Sequence, residues 1–376
     1  MLIQKAIKLK LFPTEAQVEQ IEKTFGCRRF VYNNFLAKVK IDNEKYKSYY
    51  QNSKELTSLK QTPDLNFLKD VDKFSLQNAL KDLDDAFIRF FKKQNKFPKF
   101  KRKAENNNNS YTTNFTNNNI ELGKNFLKLP KLKKVKINKK INLNYVVKIN
   151  SVTVKKINHS YYAMIQVEYK LVLKEIQSKI DEPINYIIGG DLGIKEFITL
   201  STGEVIANPK YLIANQNKLA KLQRKVSKCV KGSNNENKLF KKISKLQGHT
   251  SNSRLDFQHK LSKKLVNENQ VIVLETLSVK SMIKSKKLSK HIQDAAWGQF
   301  VSLVKYKAIW YGRTFIQAPT NFASSQLCNK CNNKNPIVRD LKIRKWTCPS
   351  CNNNHDRDLN AAINLKKFGL NYLKTI

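Results

Sequence analysis

The sequence contains few acidic residues, no long apolar run and no recognisable nucleotide-binding loop. Asp and Glu number 29 among 376 residues, against 71 Lys and Arg. No apolar run approaches the ~18 residues that span a bilayer, and Met1 to Lys5 lacks the apolar core of a signal peptide. These absences exclude an integral membrane protein and a nucleotide-driven motor, and they predict a cytoplasmic location.

The excess of basic residues predicts a polyanionic partner. The formal net charge is +42 at pH 7, far beyond what solubility requires. Lys, Asn and Ile are all over-used, as in AT-rich genomes, but codon bias alone would not deplete the acids. We therefore expect nucleic-acid binding. A chain of this length suits two or three domains.

The first ninety residues predict a strand followed by a small helical module. Ile3 to Phe12 resembles a strand, and Thr14 with Gln17 has the pattern of a capping box at a helix start. A second helix is expected from a cap at Ser75. Its apolar stripe consists of Leu76, Leu80, Leu83 and Phe87.

The densest basic segment of the chain runs from Phe91 to Lys103. Pro98 argues against a continuous helix, and phenylalanines interleave with the lysines. The segment is either a solvated linker anchored by its rings, or an arm that follows phosphates with the rings packed below it or stacked on bases. The Asn runs at 106–109 and 117–119 are typical of loops.

The pattern is β-rich from about Tyr111 to Leu173 and changes after Pro183. Three strands are then expected, at 185–191, 196–200 and 204–206. A Lys-rich helical region from about Asn215, broken near Gly232, precedes a strand at 271–275, a helix, a strand, a cysteine cluster and a closing helix. This order is typical of a ribonuclease H-like domain.

Four of the six cysteines have the spacing of zinc ligands. They form two C-x-x-C pairs separated by 16 residues: Cys328, Cys331, Cys348 and Cys351. Two matched pairs favour a structural four-thiolate zinc site over disulfides, which are rare in the cytosol, and over a single redox pair. Cys27 and Cys229 have no such partners and are expected to be buried or incidental thiols.

Three acidic residues stand where separate segments could hold one metal centre. Asp191 ends one apolar run, Glu275 ends another, and Asp358 opens the closing helix. Burial of such carboxylates is costly unless a cation compensates them, and their hard oxygen atoms suit Mg²⁺. Taken singly, Asp191 could cap a turn, Glu275 could face solvent and Asp358 could cap its helix. Their joint placement favours a nuclease centre.

Two neighbours of Asp358 are alternatives for the third ligand. Asp356 and His355 lie so close to it that spacing alone does not exclude them. Asp358 is favoured because Ala361 and Leu365 then lie on the helix face that packs on the sheet. The sequence therefore predicts Asp358 and leaves the other two open.

The motifs around these residues resemble those of the TnpB (OrfB) proteins encoded by bacterial insertion sequences. They are GDLGIK at 190–195, LETL at 274–277, the two cysteine pairs with KWTCPSC at 345–351, and HDRDLNAAIN at 355–364. KLKLFPT at 8–14 and FPKFK at 97–101 resemble the N-terminal part of the same family. The resemblance covers essentially the whole chain.

The resemblance implies an α/β multidomain protein with an RNase H-like (RuvC) nuclease domain, a four-cysteine zinc ribbon insertion, a β-barrel wedge domain and an inserted helical recognition module. The implied segments are a first wedge strand (1–12), the helical recognition module (13–105), the β-rich wedge domain (106–180), the first part of the RuvC domain (181–321), the zinc ribbon, or target nucleic-acid-binding insertion (322–355), and the RuvC closing helix and tail (356–376).

The resemblance also implies an RNA-guided DNA endonuclease, related to the smallest type V CRISPR effectors, that cleaves double-stranded DNA next to a short motif. Its guide RNA would come from the transposon end, two Mg²⁺ would bind at Asp191, Glu275 and Asp358, and the protein would act at the bacterial nucleoid. Two other functions stay open: a nuclease-silent, RNA-guided repressor, and an RNA-independent transposase or resolvase of ribonuclease H fold.

Overall fold

The structure is a computed structural model that describes residues 2–42, 44–103, 109–137, 144–170, 187–284, 288–340 and 342–375. The chain divides into two units, Met1–Val172 and Leu173–Ile376. Within the described ranges, no helix has both the length and the apolar character needed to cross a bilayer. The Asn run at 106–108, the boundary expected at Pro183 and the first two residues of the strand expected at 185–191 lie outside the described residues.

The first unit combines helices with a large sheet. Its described elements are β1 (Leu2–Phe12), α1 (Glu15–Lys40), α2 (Tyr49–Leu59), the 3₁₀-helix Pro63–Asp70, α3 (Lys73–Phe91), β2 (Ser110–Asn114), β3 (Glu121–Leu122), β4 (Phe126–Leu129), β5 (Lys133–Ile137), β6 (Val146–Ile157) and β7 (Ser160–Lys170). The β-rich pattern expected from Tyr111 is confirmed as far as Lys170.

One antiparallel sheet joins these seven strands in the order β2-β6-β7-β1-β5-β4-β3. β1 lies in its middle, paired with β7 from Leu2 to Leu11 and with β5 at its end. In the described part of this unit β2 and β3 do not pair with each other, so hydrogen bonding does not close the sheet into a barrel. Ile21 and Phe25 of α1 pack into the core of this sheet.

The helices of the first unit form a second core from the apolar faces of α1, α2 and α3. The capping box is confirmed: Thr14 N–H donates to Gln17 Oε1 over 3.0 Å, and Gln17 N–H donates to Thr14 Oγ1 over 3.4 Å. All four residues of the stripe predicted on α3 are buried. The cap predicted at Ser75 is wrong. Asp72 caps α3, and the Ser75 hydroxyl donates back to the Asp72 carbonyl over 2.6 Å within the first turn.

The basic segment after α3 lies over rings that pack inward. α3 ends at Phe91, as the proline at position 98 led us to expect. The ring of Phe97 lies 5.5 Å from that of Phe87 and 5.2 Å from that of Phe90. Phe97 is therefore packed inward and is not free to stack on bases. This packing agrees with an arm that follows phosphates with its rings below it, and it agrees equally with a linker that its rings anchor.

The second unit alternates strands and helices in the order expected from the sequence. Its described elements are β8 (Ile187–Leu192), β9 (Glu196–Leu200), β10 (Val205–Ala207), α4 (Tyr211–Val226), α5 (Asn234–Glu268), β11 (Val271–Glu275), α6 (Val279–Met282), α7 (Ser289–Ala295), α8 (Trp297–Trp310), β12 (Thr314–Ala318), the 3₁₀-helix Pro336–Arg339, β13 (Lys345–Thr347), β14 (Asn354–Asp356) and α9 (Arg357–Lys374).

Five strands form a mixed sheet in the order β10-β9-β8-β11-β12. β8, β9 and β10 are antiparallel, whereas β11 runs parallel to both β8 and β12. Residues alternate between two faces along each strand. Ile188 and Ile272 face a core that includes residues of α5 and α8, and Ile187 and Val273 face a core that includes Leu365 of α9.

Two glycines bring α9 unusually close to the sheet. A Cβ atom on Gly189 of β8 would lie 2.1 Å from the backbone oxygen of Ala362 and 2.5 Å from the backbone nitrogen of Lys366. A Cβ atom on Gly369 of α9 would lie 2.4 Å from a side-chain methyl of Val273. At Gly189 the backbone of α9 therefore rests directly on that of β8.

Candidate metal centres

Asp191 and Glu275 lie side by side at one edge of the five-stranded sheet. Leu274 of β11 is in register with Gly190 of β8, so the next residues along the two parallel strands are Glu275 and Asp191. Neighbouring strands lie about 4.8 Å apart, and side chains at equivalent positions share a face. The two buried apolar runs thus deliver two carboxylates to the same point, on the face that α9 covers.

Asp358 reaches the same point from α9. It lies four residues before Ala362, about 6 Å along a helix. Asp191 lies two residues after Gly189, about 6.6 Å along a strand. Because Ala362 and Gly189 are in contact and both acids line one cleft, α9 runs against the direction of β8 and places Asp358 opposite Asp191.

The cleft encloses about 260 Å³ and has both acidic and basic walls. Besides the three carboxylates, its lining includes Arg344 and Arg357. Arg344 Nη1 lies 2.9 Å and 3.1 Å from the two carboxylate oxygens of Asp358. Nε and Nη1 of Arg357 are buried and have no hydrogen-bond partner among the described residues. The planar fork of an arginine matches a phosphate, so these side chains fit a phosphodiester.

Burial and the neighbouring charges raise the pKa of two of these acids, Asp191 and Glu275. Burial raises the pKa of Asp191 well above its usual value, and the charges of Glu275 and Asp358 raise it further. Burial also raises the pKa of Glu275 to about 7, although a hydrogen bond from Leu192 N–H and the charge of Arg357 lower it. A proton or a cation relieves such a cluster. The donor set, three carboxylates, fits hard divalent cations.

The carboxylates do not form one closed shell. In the described part of the chain, the four cysteines are the only group of three or more metal-ligating atoms that all lie within 4.8 Å of one another. An arrangement with two ions has no need of a closed shell, because the outer ligands then serve different ions about 3.5–4 Å apart.

The two alternatives to Asp358 have other contacts. One carboxylate oxygen of Asp356 accepts hydrogen bonds from the N–H groups of Asp358 and Leu359 over 3.1 Å and 3.0 Å, which makes Asp356 the N-cap of α9. Nε2 of His355 lies 3.1 Å from the sulfur of Cys328. Neither residue lines the cleft, and Asp358 does.

The four predicted zinc ligands converge in the ribbon. The sulfur of Cys328 lies 3.5 Å from that of Cys351, and the sulfur of Cys331 lies 3.6 Å from that of Cys348. Tetrahedral Zn–S bonds of about 2.3 Å place sulfur atoms about 3.8 Å apart. The geometry and the donor set therefore fit zinc. Cys27 and Cys229 lie outside the group.

The two C-x-x-C turns have the same local structure. The N–H groups of Asn332 and Asn352 donate to the carbonyls of Cys328 and Cys348, each over 2.9 Å. Both asparagines have positive φ, 61° and 55°, a conformation that Asn tolerates better than most residues. Hydrogen bonds from Asn353 lower the pKa of Cys351 to about 6, which favours the thiolate that binds metals.

Sequence reasoning missed four residues that complete these two sites. Arg344 and Arg357 line the cleft, and Asn360 and Asn364 connect α9 to the ribbon. The spacing of Asn360 and Asn364 was a signal that could have identified them. Residues four positions apart lie on one side of a helix, and the residues between these two asparagines are apolar.

Known families match most of the chain in three stretches. Residues 167–286 match the OrfB family, described as "Probable transposase". Residues 297–365 match "Cas12f1-like, TNB domain", and residues 1–52 match the OrfB helix-turn-helix domain.

Known proteins match the chain over almost its full length. "Putative RNA-guided DNA endonuclease" of Streptomyces pristinaespiralis is 36% identical, with 98% of this chain and 90% of that protein covered. "Putative RNA-guided DNA endonuclease InsQ" of Escherichia coli K12 is 30% identical, with 97% and 92% covered. The solved structure of the mini-RNA-guided endonuclease CRISPR-Cas phi3 has 9% identity and a TM-score of 0.47, with 97% and 92% covered.

Proposed function

Because the chain belongs to the TnpB (OrfB) family of insertion-sequence-encoded RNA-guided nucleases, we propose that it is an RNA-guided DNA endonuclease that cuts beside a short adjacent motif. The observation that carries this proposal is the convergence of Asp191, Glu275 and Asp358 on one cleft. Mutually repelling, partly buried carboxylates are costly to keep, and a protein that only bound DNA would have no need of them.

We assign the units of the fold to the parts of such an enzyme. The five-stranded sheet with α9 is assigned as the RuvC nuclease domain, because its strands and helices follow one another in the order expected of a ribonuclease H-like domain. Residues 322–355 are its zinc ribbon. The seven-stranded sheet is the wedge domain, with β1 as its first strand, and α1 to α3 are the helical recognition module.

The carboxylates would hold two Mg²⁺ ions, with Asp191 as a ligand of both and Glu275 and Asp358 as ligands of one each. When bound, such ions activate the attacking water and stabilise the leaving oxygen. The protein itself orients these groups. Leu192 N–H holds one oxygen of Glu275 over 2.9 Å, and the unpartnered donors of Arg357 can bind a phosphate oxygen of the cut strand.

A cavity of the first unit supports phosphate binding. It encloses about 760 Å³ beside the segment that follows α3. Among the described residues that line it, none is acidic and five are basic: Lys40, Lys96, Lys99, Lys101 and Arg102. Like charges gathered around one cavity repel each other unless a polyanion neutralises them. The cavity therefore fits a stretch of nucleic-acid backbone.

The aromatic side chains of this cavity hold some of its cations in place. Lys40 Nζ lies 5.0 Å from the ring centre of Phe100, and Lys101 Nζ lies 4.8 Å from that of Tyr32. Cation–π contacts of this kind fix the ammonium groups before a ligand arrives. Pre-positioned charges lose less conformational entropy on binding.

A second basic surface lies on the helical pair α4 and α5. A cavity of about 570 Å³ there has Leu222 and Leu246 at its base. Its other lining residues are all basic: Lys218, Lys221, Arg224, Lys225 and Lys228. Contacts of this type position a nucleic acid without recognising its bases. Sequence specificity then comes from pairing between the guide RNA and the DNA.

The partners follow from this assignment. The basic surfaces hold a guide RNA transcribed from the transposon end, and the helical recognition module binds the motif beside the target in double-stranded DNA. Guide pairing opens the duplex, since the sequence contains no recognisable motor loop. We place this activity in the cytoplasm, at the bacterial nucleoid. Two alternatives are a nuclease-silent repressor, disfavoured by the intact carboxylates, and an RNA-independent transposase or resolvase.

The deciding experiment is to exchange the guide. The protein is purified, its bound RNA is sequenced, and complexes are rebuilt with RNA whose guide segment matches a different DNA. We expect cleavage to follow the new guide and to require Mg²⁺. Protein that purifies free of RNA, or cutting that ignores the exchanged guide, would favour the RNA-independent recombinase. Guided binding without cutting would favour the repressor.

A further inference from the structure

Three side chains of α9 attach it to the first cysteine turn of the ribbon. Asn360 Oδ1 accepts from the N–H of Asn329 over 2.9 Å, and its Nδ2 donates to the carbonyl of Leu327 over 2.7 Å. Asn364 Nδ2 donates to the same carbonyl over 2.6 Å and to that of Ser324 over 2.8 Å.

The third of these side chains is Lys367, whose Nζ donates to the carbonyl of Asn329. The attachment is buried: Asn360 is 1% exposed and Asn364 is 4% exposed. Positions 360, 364 and 367 lie along one side of a helix. Leu365, on another side, packs against the sheet, and Ala361 is buried.

The attached turn carries two of the four predicted zinc ligands, Cys328 and Cys331. Asn360 bonds to the residues on both sides of Cys328, and Nε2 of His355 lies 3.1 Å from the Cys328 sulfur. Two residues close to Asp358 in the sequence therefore contact this cysteine turn. His355 stands three residues before Asp358, and Asn360 stands two residues after it. A zinc ion bound by the cysteines would hold this turn closed, and the position of the Asp358 carboxylate would then depend on that ion.

We propose that Asn360 and Asn364 are positioning residues, which join the zinc-bound turn to α9 so that the ribbon metal fixes the place of Asp358. This inference rests on the proposed function for its effect on cleavage. Its effect on zinc does not depend on that function. Loss of an outer contact to a ligand-bearing turn typically lowers metal affinity or activity by about 10- to 100-fold.

The test compares Asn360→Ala, Asn364→Ala and the double variant with Asn371→Ala, all in the full-length chain. Asn371 lies on the same helix and is exposed, so it is a matched control. The first measurement is the rate at which a chelator removes zinc. We expect removal about 10- to 100-fold faster in the Asn360 and Asn364 variants. We expect no change in Asn371→Ala, and less than additive effects in the double variant, because both side chains hold one turn.

The second measurement is the Mg²⁺ dependence of cleavage with saturating guide and target. A displaced ligand weakens metal binding, so Asn360→Ala should need more Mg²⁺ and should recover part of its rate when Mg²⁺ is raised. Asp358→Ala, which lacks the ligand, should not recover. A merely structural role would lower the active fraction of the protein and leave the Mg²⁺ requirement unchanged.

Each outcome separates the two proposals. Wild-type rates of zinc removal together with a wild-type Mg²⁺ requirement in Asn360→Ala and Asn364→Ala would overturn the positioning role. Should either alanine variant fail to fold, Lys367→Ala removes one contact of the same attachment, and unchanged zinc removal in it would overturn the role equally. A third outcome is that the wild-type protein cuts no DNA but zinc is still removed faster from the asparagine variants. That outcome would support the positioning role of Asn360 and Asn364 and would refute the proposed nuclease function.

Discussion

The backbone N–H of Leu192 donates a hydrogen bond to Oε1 of Glu275 over 2.9 Å. Leu192 directly follows Asp191, so the strand that carries one predicted metal ligand also orients a second one. The same contact stabilises the charged form of Glu275 against the effect of burial. Asp191 and Glu275 are therefore connected through β8, whereas Asp358 is carried by α9.

Replacement of any of the three carboxylates should abolish DNA cleavage. We expect Asp191→Ala, Glu275→Ala and Asp358→Ala to lose at least about 1,000-fold in rate, because the nucleophile and leaving group both depend on the bound cations. Guide RNA and target binding should persist, since phosphate contacts dominate affinity. Glu268→Ala, at the exposed end of α5, is the matched control. If Asp358→Ala retains activity, the third metal ligand is Asp356 instead of Asp358. If all three variants retain activity, these residues do not form the nuclease centre.

Without divalent cations, the protein should lose stability as the pH rises through about 7. Burial raises the pKa of Glu275 to about 7 and also raises that of Asp191, so folding favours their protonated forms. The contribution of these protonated groups to the free energy of unfolding is fully present below the pKa of Glu in the unfolded chain, about 4.3. It is lost as the pH rises through their pKa in the folded protein. Mg²⁺ should therefore stabilise the protein more at pH 8 than at pH 5.

The measurement is the thermal unfolding midpoint of chelator-treated protein between pH 5 and 8. Asp191→Asn removes one of the repelling charges, so its midpoint should exceed that of the wild type at pH 8 and approach it at pH 5. A difference that is constant across this pH range would show that these carboxylates do not titrate as a coupled cluster.

The basic cavity of the first unit should contribute salt-dependent affinity without sequence preference. We expect the triple variant Lys99→Ala, Lys101→Ala, Arg102→Ala to weaken nucleic-acid binding and to reduce the slope of log affinity against log salt by about 2 to 3, at 0.7–0.9 per lost phosphate contact. Lys124→Ala, an exposed lysine of the same unit, controls for charge. An unchanged salt slope in the triple variant would show that the segment from Phe91 to Lys103 is a linker and does not contact phosphates.

The ribbon should hold one zinc ion per chain. Elemental analysis of protein purified without chelator should give about one equivalent, and Cys348→Ser should lose it, because four thiolates close the site. Cys229→Ser, outside the group, should retain full zinc content. Less than half an equivalent in the wild type would argue against the site.

Cleavage should require a short fixed motif beside the target. A plasmid library with randomised sequence next to one guide-matched target should lose specific flanking sequences after digestion. A uniform profile from a complex that does cut would show that the helical recognition module recognises no such motif.

The sequence predicted the parts of the centre whose signals are local. Asp191 and Glu275 lie at the ends of apolar runs that were predicted as strands and that form β8 and β11, and the two cysteine pairs predicted from their spacing converge. Contacts between distant residues were not predictable. α4 begins at Tyr211, before the expected Asn215, because both carboxylate oxygens of Asp294 accept from Leu212 N–H over 3.0 Å.

The same limit explains the missed residues and the wrong helix cap. Asp72 and Ser75 are both good capping residues, and the preceding 3₁₀-helix, which the sequence did not reveal, decides between them. Arg357 stands between two acids in the sequence and has the pattern of an ordinary surface residue. Its place in the cleft depends on the packing of α9 against β8, which involves residues more than 160 positions apart.

The direct contact of Gly189 with α9 has an evolutionary consequence. Mutations in an ordinary hydrophobic core are absorbed because neighbouring side chains rearrange. At Gly189 no side chain separates β8 from α9, so at this point the distance between the elements that carry Asp191 and Asp358 depends on a main-chain contact. A single methyl group at position 189 would meet the backbone of α9 and would force a shift of the helix that carries Asp358.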